Sequence, residues 1–170
     1  DFLTSSSKML NVFTYLFGVL VTSVVDLNVE AVSQDFFWRD YIQGDIPCDA
    51  IEGAPGRYIG QAFYKGNLVG TIYPYSDAAV IEMSGKVDIR TNVKIFCSNQ
   101  PKNLYWEKVN FDNPHDGQMT NVVKGGYQQD GFDLFIGKAR YESEWRIGKV
   151  VGITYPMRGL WVWNANGNSA

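Results

Sequence analysis

The sequence predicts an all-β fold: two tandem, homologous antiparallel β repeats sharing one compact core, preceded by an apolar leader that is removed. Three observations carry this. Tyr58-Ile59-Gly60-Gln61-Ala62-Phe63-Tyr64 returns as Phe135-Ile136-Gly137-Lys138-Ala139-Arg140-Tyr141. Each copy is followed by a second Gly-centred strand, Leu68-Val69-Gly70-Thr71-Ile72 and then Trp145-Arg146-Ile147-Gly148-Lys149-Val150. A tryptophan opens each unit, Trp38 and Trp106. Self-similarity at this spacing marks supersecondary units that bury their apolar faces against one another.

The whole-chain quantities agree. A chain of 170 residues has room for one ordinary domain. Short apolar runs alternate with Gly, Asn, Asp and Pro, the pattern of strands and turns. No helical period survives past the amino-terminal run. The formal net charge is −3 and the pI about 5.1, so no nucleic-acid surface is implied, nor one for anionic membranes.

Residues 1–33 differ in kind. Lys8 precedes the apolar run Leu10–Val25, Asp26 closes it, and small residues follow at Ala31 and Ser33. A basic flank, a short apolar core and small residues describe a secretory signal, so the mature protein is expected to be secreted. Met9 stands where such a leader begins, which sets residues 1–8 aside from the fold. A membrane span needs about 20 predominantly apolar residues. This run is shorter, and Asn11, Thr14, Thr22 and Ser23 interrupt it, so no membrane span is expected once the leader is gone. A retained anchor and a buried strand are the other two readings of the same residues.

The first repeat is placed at residues 34–86, a linking strand at 87–103 and the second repeat at 104–170. The link contains Val93-Lys94-Ile95-Phe96-Cys97, a strand by alternation and β-branching. No Gly/Ser- or Pro-rich tether separates the halves, which predicts one continuous core. Lys65-Gly66-Asn67 and Glu142-Ser143-Glu144 read as hairpin connections. Alternation sets Tyr58, Gly60, Ala62 and Tyr64 on one strand face, matched by Phe135, Gly137, Ala139 and Tyr141. This face is nearly unchanged between copies, whereas the other drifts toward polar residues, so the first is expected to be buried. A valine at Gly60 or Gly137 should then overpack the core.

Cys48 and Cys97 permit one disulfide in a secreted chain, or two separate buried thiols. With His115 as the single imidazole, residue count and spacing exclude a zinc site. No nucleophile elbow, phosphate-cradling loop or dinucleotide fingerprint is present. The chain therefore reads as a non-enzyme without a cofactor.

Trp38 and Trp106, the segment Asp45-Ile46-Pro47 with Asp49-Ala50-Ile51, and Tyr58-Ile59-Gly60-Gln61-Ala62 carry a family resemblance. So do Gly70-Thr71-Ile72-Tyr73, Lys94-Ile95-Phe96-Cys97-Ser98, Leu104-Tyr105-Trp106, Gly125-Gly126-Tyr127, Phe135-Ile136-Gly137-Lys138-Ala139 and Ile147-Gly148-Lys149-Val150. In this order, over nearly all of residues 36–163, they resemble the DM-nine repeat family. The resemblance implies an all-β body of two repeats and lectin-like recognition of mannose-type glycans in innate immunity. Contacts in the family resemble a carboxylate before the Ile-Gly strand and the Lys after the next strand's Gly. The second unit has that Lys, Lys149, and a loop offering Gln128, Asp130 and Asp133; the first has Thr71 and no acid in Gly53-Ala54-Pro55-Gly56-Arg57. One sugar site, or none, is therefore expected rather than two.

Sugar hydroxyls donate and accept at once, so an acceptor-only carboxylate beside a donor-only ammonium suits them. Asp130, Lys149 and Gln128 are the candidate ligand-binding residues, with Trp145 as the ring beside them. The bland reading of the Asp130–Lys149 pair is a solvated ion pair of little energetic weight, and that of Trp145 a packed ring. The partner expected is a glycan or glycoprotein surface. Multivalency would make a homodimer useful, although no interface is legible. The alternative reading is an extracellular structural or protein-interaction module whose sugar site has been lost.

Overall fold

The computed structural model describes residues 14–19, 35–111, 121–152, 157–164 and 166. Within them the chain forms thirteen strands and one short 3-10 turn, Pro101–Asn103. In chain order the strands are β1 Thr14–Val19, β2 Phe36–Asp40, β3 Glu52–Ala54, β4 Arg57–Phe63, β5 Gly66–Ile72, β6 Ala79–Glu82 and β7 Lys86–Ile89. They continue as β8 Val93–Ser98, β9 Leu104–Val109, β10 Lys124–Gln128, β11 Asp133–Tyr141, β12 Glu144–Val151 and β13 Gly159–Trp161. All named pairings are antiparallel and join one open sheet whose main path runs β13-β12-β11-β10-β5-β4-β8-β2. His115 and the leader residues other than 14–19 lie outside the described residues.

The two hairpins share a register. In β4–β5 Gly60 faces Gly70, and in β11–β12 Gly137 faces Gly148. β6 then pairs with β5 at Thr71 and Val80, as β13 pairs with β12 at Lys149 and Trp161. These registers fix which positions correspond: Leu68 with Arg146, Thr71 with Lys149, Glu82 with Trp163, and Met83 with Asn164. The strand expected in the link is β8, and it belongs to the first half, pairing with both β4 and β2.

Turn chemistry explains the hairpin ends. Glu142 and Ser143 both have positive φ (50° and 68°) between the paired residues Tyr141 and Glu144. That is the two-residue turn whose twist suits neighbouring strands. The β4–β5 connection is one residue longer, with Lys65 at φ 52° and Gly66 at φ 131°.

The expectation of one buried strand face needs correction. Gly60 and Ala62 are buried, but so are Ile59 and Gln61 on the opposite face, while Tyr64 and Phe63 at the strand end are exposed. The sheet curls so that β4 is covered on both sides. One apolar cluster gathers Ala62, Leu68, Ile72 and Ile95 with Leu134 and Val151 of the second half. The other gathers Ile59, Val69 and Phe96 with Ile136 and Ile147. Both halves supply both clusters, so the interior is shared. Gly60 is confined as expected: a Cβ there would lie 2.8 Å from Ile72 Cγ1.

Cys48 and Cys97 are both free thiols rather than a bridge. Cys97 is fully buried in the first cluster, whereas Cys48 is exposed. Burial first, and then the Asp49 charge and hydrogen bond, push the Cys97 thiol up to about 11.

Candidate functional site

β12 carries Lys149 into the interior rather than onto a surface. Its ammonium lies 2.8 Å from Glu82 Oε2 and donates to the Glu82 carbonyl at 2.8 Å. The Lys149 side chain is 6% exposed and that of Glu82 2%. The acid meeting Lys149 therefore comes from the end of β6 in the first half, not from the loop before β11. Sequence reasoning searched that loop and missed Glu82. The available signal was an isolated acid closing the apolar run Ala79-Val80-Ile81, where a buried carboxylate needs a cationic partner.

The next residue, Met83, touches the same ammonium through its sulfur at 4.0 Å. Met83 also lines a cavity of about 340 Å³ together with Lys65, Leu68, Gln128, Gln129 and Asp130. Gln128 ends β10, where it pairs with Gly66 of β5; this brings the β10–β11 turn beside the β4–β5 turn. Asp130 sits in that turn, one carboxylate oxygen accepting from the Phe132 amide at 3.3 Å. Two of the sequence-predicted residues, Gln128 and Asp130, thus line one cavity, and Lys149 stands one side chain behind it. Lys65, Leu68 and Met83 complete the lining from the first half.

Trp145 does not join them. It lies four residues before Lys149 on the same strand, about 13 Å away at the usual rise. There it pairs with Arg140, and its ring takes the Lys138 ammonium at 5.2 Å. Trp106 takes the same ammonium at 4.3 Å, and Lys138 Nζ donates to the Gly53 carbonyl at 2.7 Å. Burial lowers the Lys138 pKa. The packed reading of Trp145 describes this surrounding.

A second concavity, of about 540 Å³, is lined by Tyr73, Lys86, Arg90, Glu144, Arg146 and Trp163 among others. Arg146 and Asn164, which both line it, occupy the repeat positions of Leu68 and Met83. The Lys149–Glu82 pair has no counterpart here, because Thr71 and Trp163 stand at those positions. The Thr71 hydroxyl donates to the Ile147 carbonyl at 2.9 Å and accepts from the Ile147 amide at 2.9 Å. Thr71 fastens one half to the other.

Charges in the second concavity are paired among themselves. Glu144 accepts from Tyr73 at 2.9 Å and from Arg57 at 3.0 Å, and lies 3.5 Å from Arg146. Arg146 reaches Glu142 at 3.2 Å and donates to the Trp163 carbonyl. Burial, the largest influence on Glu144, acts to raise its pKa. The hydrogen bonds from Tyr73 and Arg57 and the charges of Arg57 and Arg146 together outweigh it, holding the carboxyl below its ordinary value. Tyr73 is pushed up to about 12, first by burial and then by the hydrogen bond and charge of Glu144.

Among the described residues no group of three or more His, Cys, Asp or Glu could hold a metal ion. No helix among them is long and apolar enough to cross a membrane.

Fold and site define an all-antiparallel β domain with two hairpins of matching register and a cavity beside the β4–β5 and β10–β11 turns. The family model for the DM9 repeat matches residues 52–154, and the chain belongs to the DM9 repeat family. No curated protein matches the chain, and neither does any solved structure.

Proposed function

We propose that the protein recognises carbohydrate through the cavity lined by Gln128, Asp130 and Lys65, as a lectin-like, non-enzymatic module. DM9 membership is consistent with a carbohydrate-binding family. The observation that carries the reading is the convergence of unlike polar groups on about 340 Å³, a size that suits a small ligand. Asp130 supplies acceptors, Lys65 supplies donors and the Gln128 amide supplies both, which matches the dual character of a sugar hydroxyl. Leu68 and Met83 give the cavity an apolar floor. Lys149 and Glu82 act behind that floor, fixing the end of β6 and hence Met83.

Mannose-type glycans are the first class to try, and an extracellular role in innate recognition goes with them. The test is titration of mannose and oligomannose against the unaltered chain and against Asp130→Ala and Gln128→Ala. Both positions are turn or strand-end sites whose loss leaves the core untouched. Binding abolished in both variants, with unfolding unchanged, supports the reading. No binding by the unaltered chain to any glycan, or equal binding by both variants, sinks it.

The second reading is an interaction module without a sugar site. The engagement of Lys149 favours it, because the carboxylate and carbonyl of Glu82 already take the ammonium the family reading would offer to sugar.

A further inference from the structure

β1 and β8 occupy corresponding places in the two halves. β8 pairs with β4 at Ala62↔Val93, Gln61↔Lys94 and Gly60↔Ile95, and with β2 at Trp38↔Phe96. β1 pairs with β11 at Ala139↔Thr14, Lys138↔Tyr15 and Gly137↔Leu16, and with β9 at Trp106↔Phe17. Ala62 with Ala139, Gln61 with Lys138, Gly60 with Gly137 and Trp38 with Trp106 are the repeat's own correspondences. Thr14–Phe17 therefore stand in the register of Val93–Phe96, with no slip at any of the four positions. A one-residue slip would have turned every side chain to the other face, so this agreement is specific.

The pairing also has a consequence for β9. Among the described residues β9 pairs with no strand except β1, over six consecutive residue pairs from Leu104↔Val19 to Val109↔Thr14. Without β1, both β9 and the Gly137–Ala139 stretch of β11 would present unpaired backbone groups. Such open edges recruit other strands.

We infer that Thr14–Val19 is a structural strand of the folded domain, inserted in cis between β9 and β11, closing the second half as β8 closes the first. The apolar run that reads as a removable leader then supplies a strand the fold depends on, and these six residues remain in the folded protein.

Hydrogen exchange and intact mass on the full chain test this. The bonded amides of Leu104–Val109 and those of Phe36–Asp40 on the matching strand should both exchange slowly, and the recovered protein should contain residues 14–19. Leu16→Pro, which removes an amide and obstructs the strand, should speed exchange across β9 at least tenfold and leave β2 and β8 protected. The inference is overturned if β9 exchanges like an open edge in the unaltered chain. A folded product that begins beyond Val19, or unchanged exchange in Leu16→Pro, overturns it equally. A dimer in which residues 14–19 of one copy protect β9 of another overturns the assignment in cis. If Leu16→Pro does not fold, the exchange pattern and mass of the unaltered chain decide alone.

Discussion

Gln61 and Lys138 make the same reach in opposite directions. Gln61 Nε2 donates to the Gly125 carbonyl at 2.6 Å, and Lys138 Nζ donates to the Gly53 carbonyl at 2.7 Å. The two residues hold the same position in the repeated strand, and each crosses to the other half. Both acceptors belong to buried glycines, so each bond satisfies a carbonyl that water does not reach.

Gln61→Leu and Lys138→Met should therefore each destabilise the protein, by about 1–3 kcal/mol, since each leaves a buried acceptor without its partner. Lys138→Gln should cost less than Lys138→Met, because glutamine makes this bond in the first half. Urea denaturation of the three variants measures the order. Equal losses for Lys138→Gln and Lys138→Met would show that the bond to Gly53 is not what matters.

Lys149→Met should be among the most damaging single changes outside the apolar clusters. It strands the Glu82 carboxylate in the interior, and breaking a buried pair in this way costs about 3–5 kcal/mol. Adding Glu82→Leu should recover most of the loss, since an apolar pair of similar volume avoids the desolvation of both charges. A double-mutant cycle gives the coupling directly. Additive losses would mean the two side chains do not act as a pair.

Tyr73 links stability to high pH. Its folded pKa is about 12 against an ordinary value of 10.0, so the folded state holds the phenolic proton more tightly than the unfolded state. The contribution is complete below pH 10 and is lost as pH rises through 12. The difference in stability between the unaltered chain and Tyr73→Phe should shrink across that window. Cys97 falls in an overlapping range, which is why the difference, not the raw curve, is the quantity to plot. A difference that stays flat would refute the claim.

Ser143→Gly should stabilise the β11–β12 hairpin. Ser143 sits at φ 68°, where a side chain is strained and glycine is not. The gain expected is about 0.5–1 kcal/mol, read from the thermal midpoint. Ser143→Val at the same place should destabilise.

Gly60→Val places branched atoms where even a Cβ would stand 2.8 Å from Ile72 Cγ1. A loss of about 1–3 kcal/mol or more is expected on chemical denaturation. An unchanged midpoint would mean Ile72 has room to move.

The strands were readable because Gly60, Gly137 and their flanking alternation recur, and because Gly66 and Ser143 sit at marked turns. Their burial was not readable: the polar Gln61 looked like a surface residue, yet it crosses to Gly125 in the interior. Asp130 and Gln128 came from the family resemblance rather than from any pattern in their own turn, and the pairing of β10 with β5 sets both beside Lys65 and Met83. Glu82 was missed because its role depends on β6 and β12 meeting, a contact between residues 67 positions apart. Trp145 was placed beside Lys149 by closeness along the chain, and an extended strand separates residues that a turn or helix would bring together.

The apolar cluster that holds Leu68 and Ile72 also holds Leu134 and Val151. Each side of that seam relies on the other for cover, so melting should be all-or-none and a clipped half should be degraded rather than persist. Lineage divergence is constrained likewise: a bulkier side chain accepted on one side of that seam obliges a smaller one opposite.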